Sequence, residues 1–359
     1  MTLSKQKPLF DMNTDGGTNE ENKSREYITI SPGNIFLLFF IMFLFIASGT
    51  LKFPFSILPA MIAAPLYAIF SYKIGNRFSF LPPIIAFFIS IIASRSVSSA
   101  ITSLLAAGMA FAILSAINKN PEKAKTSAVI RCTVAFVVYL AAQITVYVVA
   151  NDISSSASFA AAINRYFDSA KELMLSIYSA GFEEIAANYD ISKLTGVEAP
   201  SFEMITAYVD MMMYQAKAML PATVSLWMMG VSYVSCSLLL PLTKLLGARN
   251  MLEGKIFSIT ISGICLAVYF IASLGMVFAK GPEVYGFRNI VSIISPCFML
   301  CGIKQIGELL KTKLPHGVIL FVKFASIVAA LILGNIGTTV LTVMGMYYAT
   351  RKSAANRYQ

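Results

Sequence analysis

The chain is 359 residues long, 57% of them hydrophobic and only 13% charged, with a mean hydropathy of +0.71. A soluble domain of this size needs more polar surface than that, so the composition excludes a soluble enzyme and makes lipid the solvent for most of the chain. The net charge of +10 does not mark a nucleic-acid binder, because the basic residues are spread over loops between apolar stretches and form no aromatic-interleaved basic stripe.

Residues 1–33 are polar, carry Asp15-Gly16-Gly17 and Glu20-Glu21-Asn22, and have too little apolar surface to fold alone, which reads as a disordered tail. The first apolar run begins near Ile35, beyond the reach of a signal-peptide n-region and without a small-residue cleavage site after it, so the first span is expected to be retained. Apolar stretches follow at 35–50, 53–72, 80–94, 99–117, 128–150, 220–242, 256–278, 289–307, 318–333 and 336–350. In hydrocarbon every backbone polar group must be paired internally, so these stretches are expected to be helices. The last two form one apolar region from Val318 to Thr350, about 50 Å of helix against a core of ~30 Å, and Gly334-Asn335-Ile336-Gly337 supplies the turn that divides it.

Charge sets the expected orientation. With the N-terminus in the cytoplasm, the inner loops and C-terminal tail hold fifteen basic residues, Lys119, Lys123, Lys125 and Arg131 among them, and the short outer loops hold only Lys52, Arg95, Lys280 and Arg288. That asymmetry follows the positive-inside rule and places both termini on the cytoplasmic side of the plasma membrane. Between Asn151 and Met219 the balance reverses, with four basic residues against nine acidic. Phe159, Ile163, Phe167, Ala170, Met174 and Ile177 follow amphipathic-helix spacing there. A second stripe, Phe202, Ile205, Val209, Met212 and Ala216, follows Pro200-Ser201. These helices are expected outside, as a cap over a binding site or as a cover for span ends.

The expected fold is therefore all-α: a polytopic transmembrane bundle of about 8–10 spans with an extracytoplasmic amphipathic helical insert. Its parts are the tail 1–33, membrane helices over 34–150, the insert 151–219, membrane helices over 220–350 and a basic tail 351–359.

Catalytic chemistry is sparse. The single histidine, His316, rules out an HExxH signature and a multi-histidine metal site, and no metal or other cofactor is expected. Glu183-Glu184 resembles the paired glutamates of intramembrane CAAX-type proteases, but Asn188 stands where that pattern requires arginine. Gly254-Lys255 is followed by Ile256 and has no upstream glycine of a phosphate-binding loop, so ATP hydrolysis by that route is excluded. Cys132, Cys236, Cys265, Cys297 and Cys301 all fall inside spans and form no CxxC, which suits buried thiols acting as small hydrophobes. None of the eighteen acidic residues sits in the middle of a span, which disfavours a carboxylate ion relay. An enzyme is not expected.

The remaining candidates for substrate contact are Gln143 and Trp227 in outer halves of spans, with Arg95 and Arg288 at outer helix ends. An aromatic beside donors and a guanidinium suits a small, partly anionic organic ligand. Ala60, Ala64 and Ala68 share one face of the second span, a small-residue ladder fit for helix packing or for docking on another subunit.

Leu58-Pro59 with Pro65, Met219-Leu220-Pro221, Ser295-Pro296-Cys297-Phe298 leading to Cys301-Gly302-Ile303, and Met344-Gly345-Met346 before Arg351-Lys352 together give the chain a resemblance, over about 35–352, to the YybS-like predicted membrane proteins, domain-of-unknown-function family 2232. That family is similar in its N-terminal helices to the S components of energy-coupling-factor vitamin transporters, which dock through an AxxxA ladder and have no ATPase of their own. The resemblance implies a solute-binding subunit whose partners are the lipid bilayer, a small-molecule solute, and a transmembrane coupling subunit with its ATPases. The alternative is a non-transporting membrane organiser or scaffold for envelope or division proteins. Neither reading involves nucleic acid.

Overall fold

The computed structural model describes residues 32–52, 54–74, 80–188, 202–255, 257–311 and 313–355, the side chains of 182–188, 316, 331, 335 and 351–355 excepted. The N-terminal tail, the expected helix start at Pro200-Ser201 and the last four residues lie outside the described residues, as do the side chains of Glu183, Glu184 and His316.

All regular structure among the described residues is helical. In chain order the long helices are α1 (Pro32–Thr50), α2 (Ile57–Ile74), α3 (Leu81–Ser94), α4 (Val97–Lys119), α5 (Ala124–Ala150), α6 (Ser156–Asn188), α7 (Phe202–Leu245), α8 (Gly263–Phe278), α9 (Glu283–Leu310), α10 (His316–Ile332) and α11 (Asn335–Ala355). Each of the ten expected spans corresponds to a helix. By length and hydropathy α1, α2, α4, α5 with its leading turn, α7 and α9 qualify as membrane-crossing, while α3, α8 and α10 are apolar but shorter. The protein is a polytopic, membrane-spanning α-helical bundle. Its lipid-facing surface is plain in α1, where Phe36 and Phe39 are over 70% exposed, a degree of aromatic exposure that water does not tolerate on one face.

Local chemistry sets the boundaries. Ser96 caps α4 by accepting from the Ser99 N–H at 3.3 Å, and Ser262 caps α8 by accepting from the Cys265 N–H at 3.4 Å. The seventh stretch, expected as helix from 256, is helical only from Gly263. Thr260 there is drawn to α5 instead, its N–H donating to Thr126 Oγ1 at 2.9 Å. The turn expected near Gly334 is present, with Gly334 at φ 55° between α10 and α11, a left-handed conformation that costs glycine nothing.

The core lies in α1 to α5 and the inner half of α7. Helix α2 packs against α1, α4 and α7, and Tyr67 on it meets Phe45 and Phe111 edge-on at centroid distances of 5.1 and 6.1 Å. Ala60, Ala64 and Ala68 are all fully buried in this packing. Their small size lets the backbones close in, and no surface remains at the three positions for a second chain.

Helix α7, at 44 residues, is about 66 Å long, twice the ~30 Å hydrocarbon thickness. Its first half pairs with α6 through a Lys171–Asp210 ion pair, a Lys217–Asn164 hydrogen bond of 3.1 Å and an edge-on Tyr178–Tyr208 contact. At Pro221, where the helix lacks a backbone donor, Asn289 of α9 bridges the chain. Its Oδ1 accepts from the Ala222 N–H at 3.0 Å and its Nδ2 donates to the Ala218 carbonyl at 2.8 Å. A carboxamide carries its donor and its acceptor on two separate atoms, which matches the two backbone groups it meets here.

Helices α9 and α11 meet through glycines. A Cβ on Gly345 would strike the Phe298 carbonyl, and one on Gly302 would strike the Leu341 carbonyl. The two backbones are in contact, with a Ser295–Thr342 hydroxyl bond of 3.1 Å beside the crossing.

Gly345→Ala therefore forces a methyl onto a backbone carbonyl, and the unfolding midpoint in detergent should fall by an amount matching the roughly 1–3 kcal/mol of overpacking. Gly230→Ala, at a helical site with open space around it, should leave the midpoint unchanged or raise it. Equal falls for both would contradict the crossing. Asn289→Ala should cost about 1–3 kcal/mol by the same measurement, because it strands the two α7 backbone groups; a wild-type midpoint would show that the bridge carries no load.

Candidate functional site

The first turn of α4 and the last three turns of α5 come together where the chain connects α1 to α2. Gln143, half-buried on α5, donates through Nε2 to the Ser98 carbonyl at 2.7 Å and accepts from Ser98 Oγ at 2.5 Å. One turn deeper, Thr102 Oγ1 and the Tyr139 hydroxyl are 3.1 Å apart. Ser56, in the α1–α2 turn, is 2% exposed and its N–H donates to the Lys52 carbonyl at 3.2 Å. Ser56, Ser98, Ser99, Thr102, Tyr139 and Gln143, closed in by Leu51 and Leu140, line a pocket of ≈ 230 Å³.

The lining offers hydroxyls and a carboxamide, with no carboxylate, amine or guanidinium. Such groups can donate to and accept from a compact neutral polar solute while demanding no counter-charge. They hold no nucleophile paired with a base, and among the described residues no three His, Cys, Asp or Glu side chains come close enough to share a metal ion.

The four expected contact residues divide. Gln143 is in the pocket wall. Trp227 of α7 is half-buried and stands two rings away, edge-on to Phe136 at 5.0 Å, with Phe136 in turn edge-on to Tyr139 at 5.4 Å. Arg95 is exposed, at the C-cap of α3 with φ 51°, its N–H donating to the Ile91 carbonyl at 2.8 Å, one residue before the α4 cap and outside the lining. Arg288 is exposed on α9 beside Asn289 and lies outside the lining too. Neither guanidinium is in the wall.

Sequence reasoning passed over Ser56, Ser98, Ser99, Thr102 and Tyr139. The signal was the hydroxyl run Ser94, Ser96, Ser98, Ser99, Thr102 and Ser103 opening the fourth span, richer in polar groups than a helix end needs for capping. It also passed over Lys323, a cation inside α10, whose stem fills the space left by the missing side chain of Gly307. Next to that contact the Tyr348 hydroxyl donates to Glu308 Oε1 at 2.8 Å, and Lys304 Nζ lies 5.6 Å from the Tyr348 ring centre. At the other loops of this end, Lys73 and Lys255 donate to the carbonyls of Leu246 and Met251, and burial pulls the Lys255 amine below its ordinary range.

Comparison with curated proteins and with solved structures returned no match. The family described as "Predicted membrane protein (DUF2232)" matches residues 37–347, a span that takes in the pocket, the Asn289 bridge and both glycines of the α9–α11 crossing. On that match the chain belongs to the DUF2232 family of multi-pass membrane proteins.

Proposed function

We propose that this protein is a solute-binding membrane subunit, similar in role to an S component, which takes a small neutral polar solute into the pocket between α4 and α5. The observation that carries the reading is the convergence of five hydroxyl side chains and Gln143 on one pocket with no charged group in its wall. Within the wall Gln143 bonds Ser98 and Thr102 bonds Tyr139, and a bound polar solute would share or exchange these bonds.

The basic loops at the far ends of α4 and α7 support placing that end in the cytoplasm. On ten crossings both termini lie there as well. The pocket and the α6–α7 hairpin then both face outside. The sequence has no phosphate-binding loop, so a coupling subunit with its ATPases would supply energy. Because Ala60, Ala64 and Ala68 are fully buried, that subunit would dock on another face. The organiser reading rests on the exposed apolar side chains of the hairpin, such as Tyr166 and Leu173, and gives the pocket no role.

The test is native mass spectrometry of full-length protein purified from its own membranes, with Trp227 emission followed as the recovered molecule is added back. A small neutral adduct should appear and should be lost in a Ser99→Phe variant whose unfolding midpoint matches wild type. Ala64→Trp should abolish folding itself. No adduct in the native protein, or an adduct retained in Ser99→Phe, would overturn the reading.

A further inference from the structure

At the opposite end of α4 and α5 from the solute pocket lies a larger cleft, of ≈ 540 Å³, formed where α4 ends, a single 3₁₀ turn runs over Pro121–Lys123, and α5 begins. Lys119, Lys123 and Arg131 contribute three cations to its lining and Glu122 one carboxylate. Among the described residues none of the three is in a salt bridge, so Glu122 offsets only part of their charge and the lining keeps a net positive balance.

Arg131 is the most informative of them. It is half-buried, one guanidinium nitrogen donates to Ser115 Oγ, and another donates to the Asn120 side-chain oxygen at 3.0 Å when that amide is oriented by its hydrogen bonds. In the same orientation Ser127 Oγ donates to Asn120 at 3.0 Å. Both acceptors are neutral, so the guanidinium is held in place without an ion pair. A fixed, partly desolvated guanidinium with two lysines around it suits the oxygens of a phosphate.

The cleft is continuous with an apolar track. Ile130 forms part of its wall and is 59% exposed; Val134 and Val138 follow at four-residue steps along α5, both more than half exposed. Their spacing puts them on one face of the helix, running from the cations toward the middle of the bilayer. A free phosphate would use only the first part of this arrangement. A phospholipid uses both.

We infer that this cleft binds the phosphate of an acidic phospholipid, held by Lys119, Lys123 and Arg131, with an acyl chain lying along Ile130, Val134 and Val138. The site is separate from the solute pocket and does not depend on the function proposed for it.

The test is native mass spectrometry of the full-length protein in detergent, titrated with phosphatidylglycerol, with phosphatidylcholine, and with glycerol 3-phosphate. Phosphatidylglycerol should bind in preference to the other two, and Lys119→Gln/Lys123→Gln should weaken it roughly tenfold or more. Lys244→Gln/Arg249→Gln, which removes the same charge from another cleft at this end, should leave the affinity within about twofold, as expected for a screened, distant pair. Glu122→Gln should tighten binding, a gain that a merely damaged fold cannot mimic. Equal losses in the two double variants, or no preference for phosphatidylglycerol over phosphatidylcholine, would overturn the site. Glycerol 3-phosphate binding as strongly as the lipid, with the same lysine dependence, would overturn the acyl track.

Discussion

Two helices in hydrocarbon gain little by hiding leucines from each other, because the surrounding tails are just as apolar; they associate where small residues let backbones touch and where polar groups bond across the gap. This bundle depends on that constraint throughout. Ala60, Ala64 and Ala68 bring α2 into the centre of the first five helices. Gly302 and Gly345 bring α9 and α11 into backbone contact. Asn289 ties α9 to α7 at the point where Pro221 interrupts the ladder of donors. Each contact leaves large side chains free to face lipid, which is why so many phenylalanines and isoleucines lie on the outside of a stable structure.

The same constraint gives meaning to polar groups that packing does not require. Along α4 and α5 the interior is apolar through the middle, with Leu105, Met109 and Ile113 on α4 facing inward and Val129, Cys132 and Phe136 on α5, and it changes character at both ends. At one end it becomes a cluster of neutral hydroxyls around Gln143. At the other it becomes a cleft with three cations and one carboxylate around Arg131. One helix pair thus carries two clefts of different chemistry, one lined by neutral polar groups and the other by mainly cationic ones, separated by a packed apolar layer.

Much of the fold could be read from the chain, because lipid permits so few solutions. Apolar runs had to be helices, and a helix is found at each one, with Gly334 making the turn that length alone required. Boundaries were less legible where tertiary hydrogen bonds compete with the helix. Residues 256–262 look apolar enough for a span, yet Thr126 on a distant segment takes the Thr260 N–H, and no local pattern announces such a partner. Several of the short motifs that carry the family resemblance lie at helix crossings: Met219-Leu220-Pro221 is where Asn289 bridges, and Cys301-Gly302-Ile303 meets Met344-Gly345-Met346. The site was legible only in Gln143. Arg95 and Arg288 stand out by their charge at helix ends, which places a residue near a surface and says nothing about which helices converge there. Ser98, Thr102 and Tyr139 acquire meaning only when α4 and α5 are side by side.

The proposed function requires one direction of threading, with the α6–α7 hairpin outside and the basic loops and both termini inside. In a background with the five cysteines replaced by alanine, single cysteines at Ser155, Asn250 and Ser353 can be challenged with a membrane-impermeant maleimide on intact cells. Ser155→Cys should label at once, and Asn250→Cys and Ser353→Cys only after permeabilisation. Labelling of Asn250→Cys or Ser353→Cys in intact cells, or protection of Ser155→Cys, would contradict the threading.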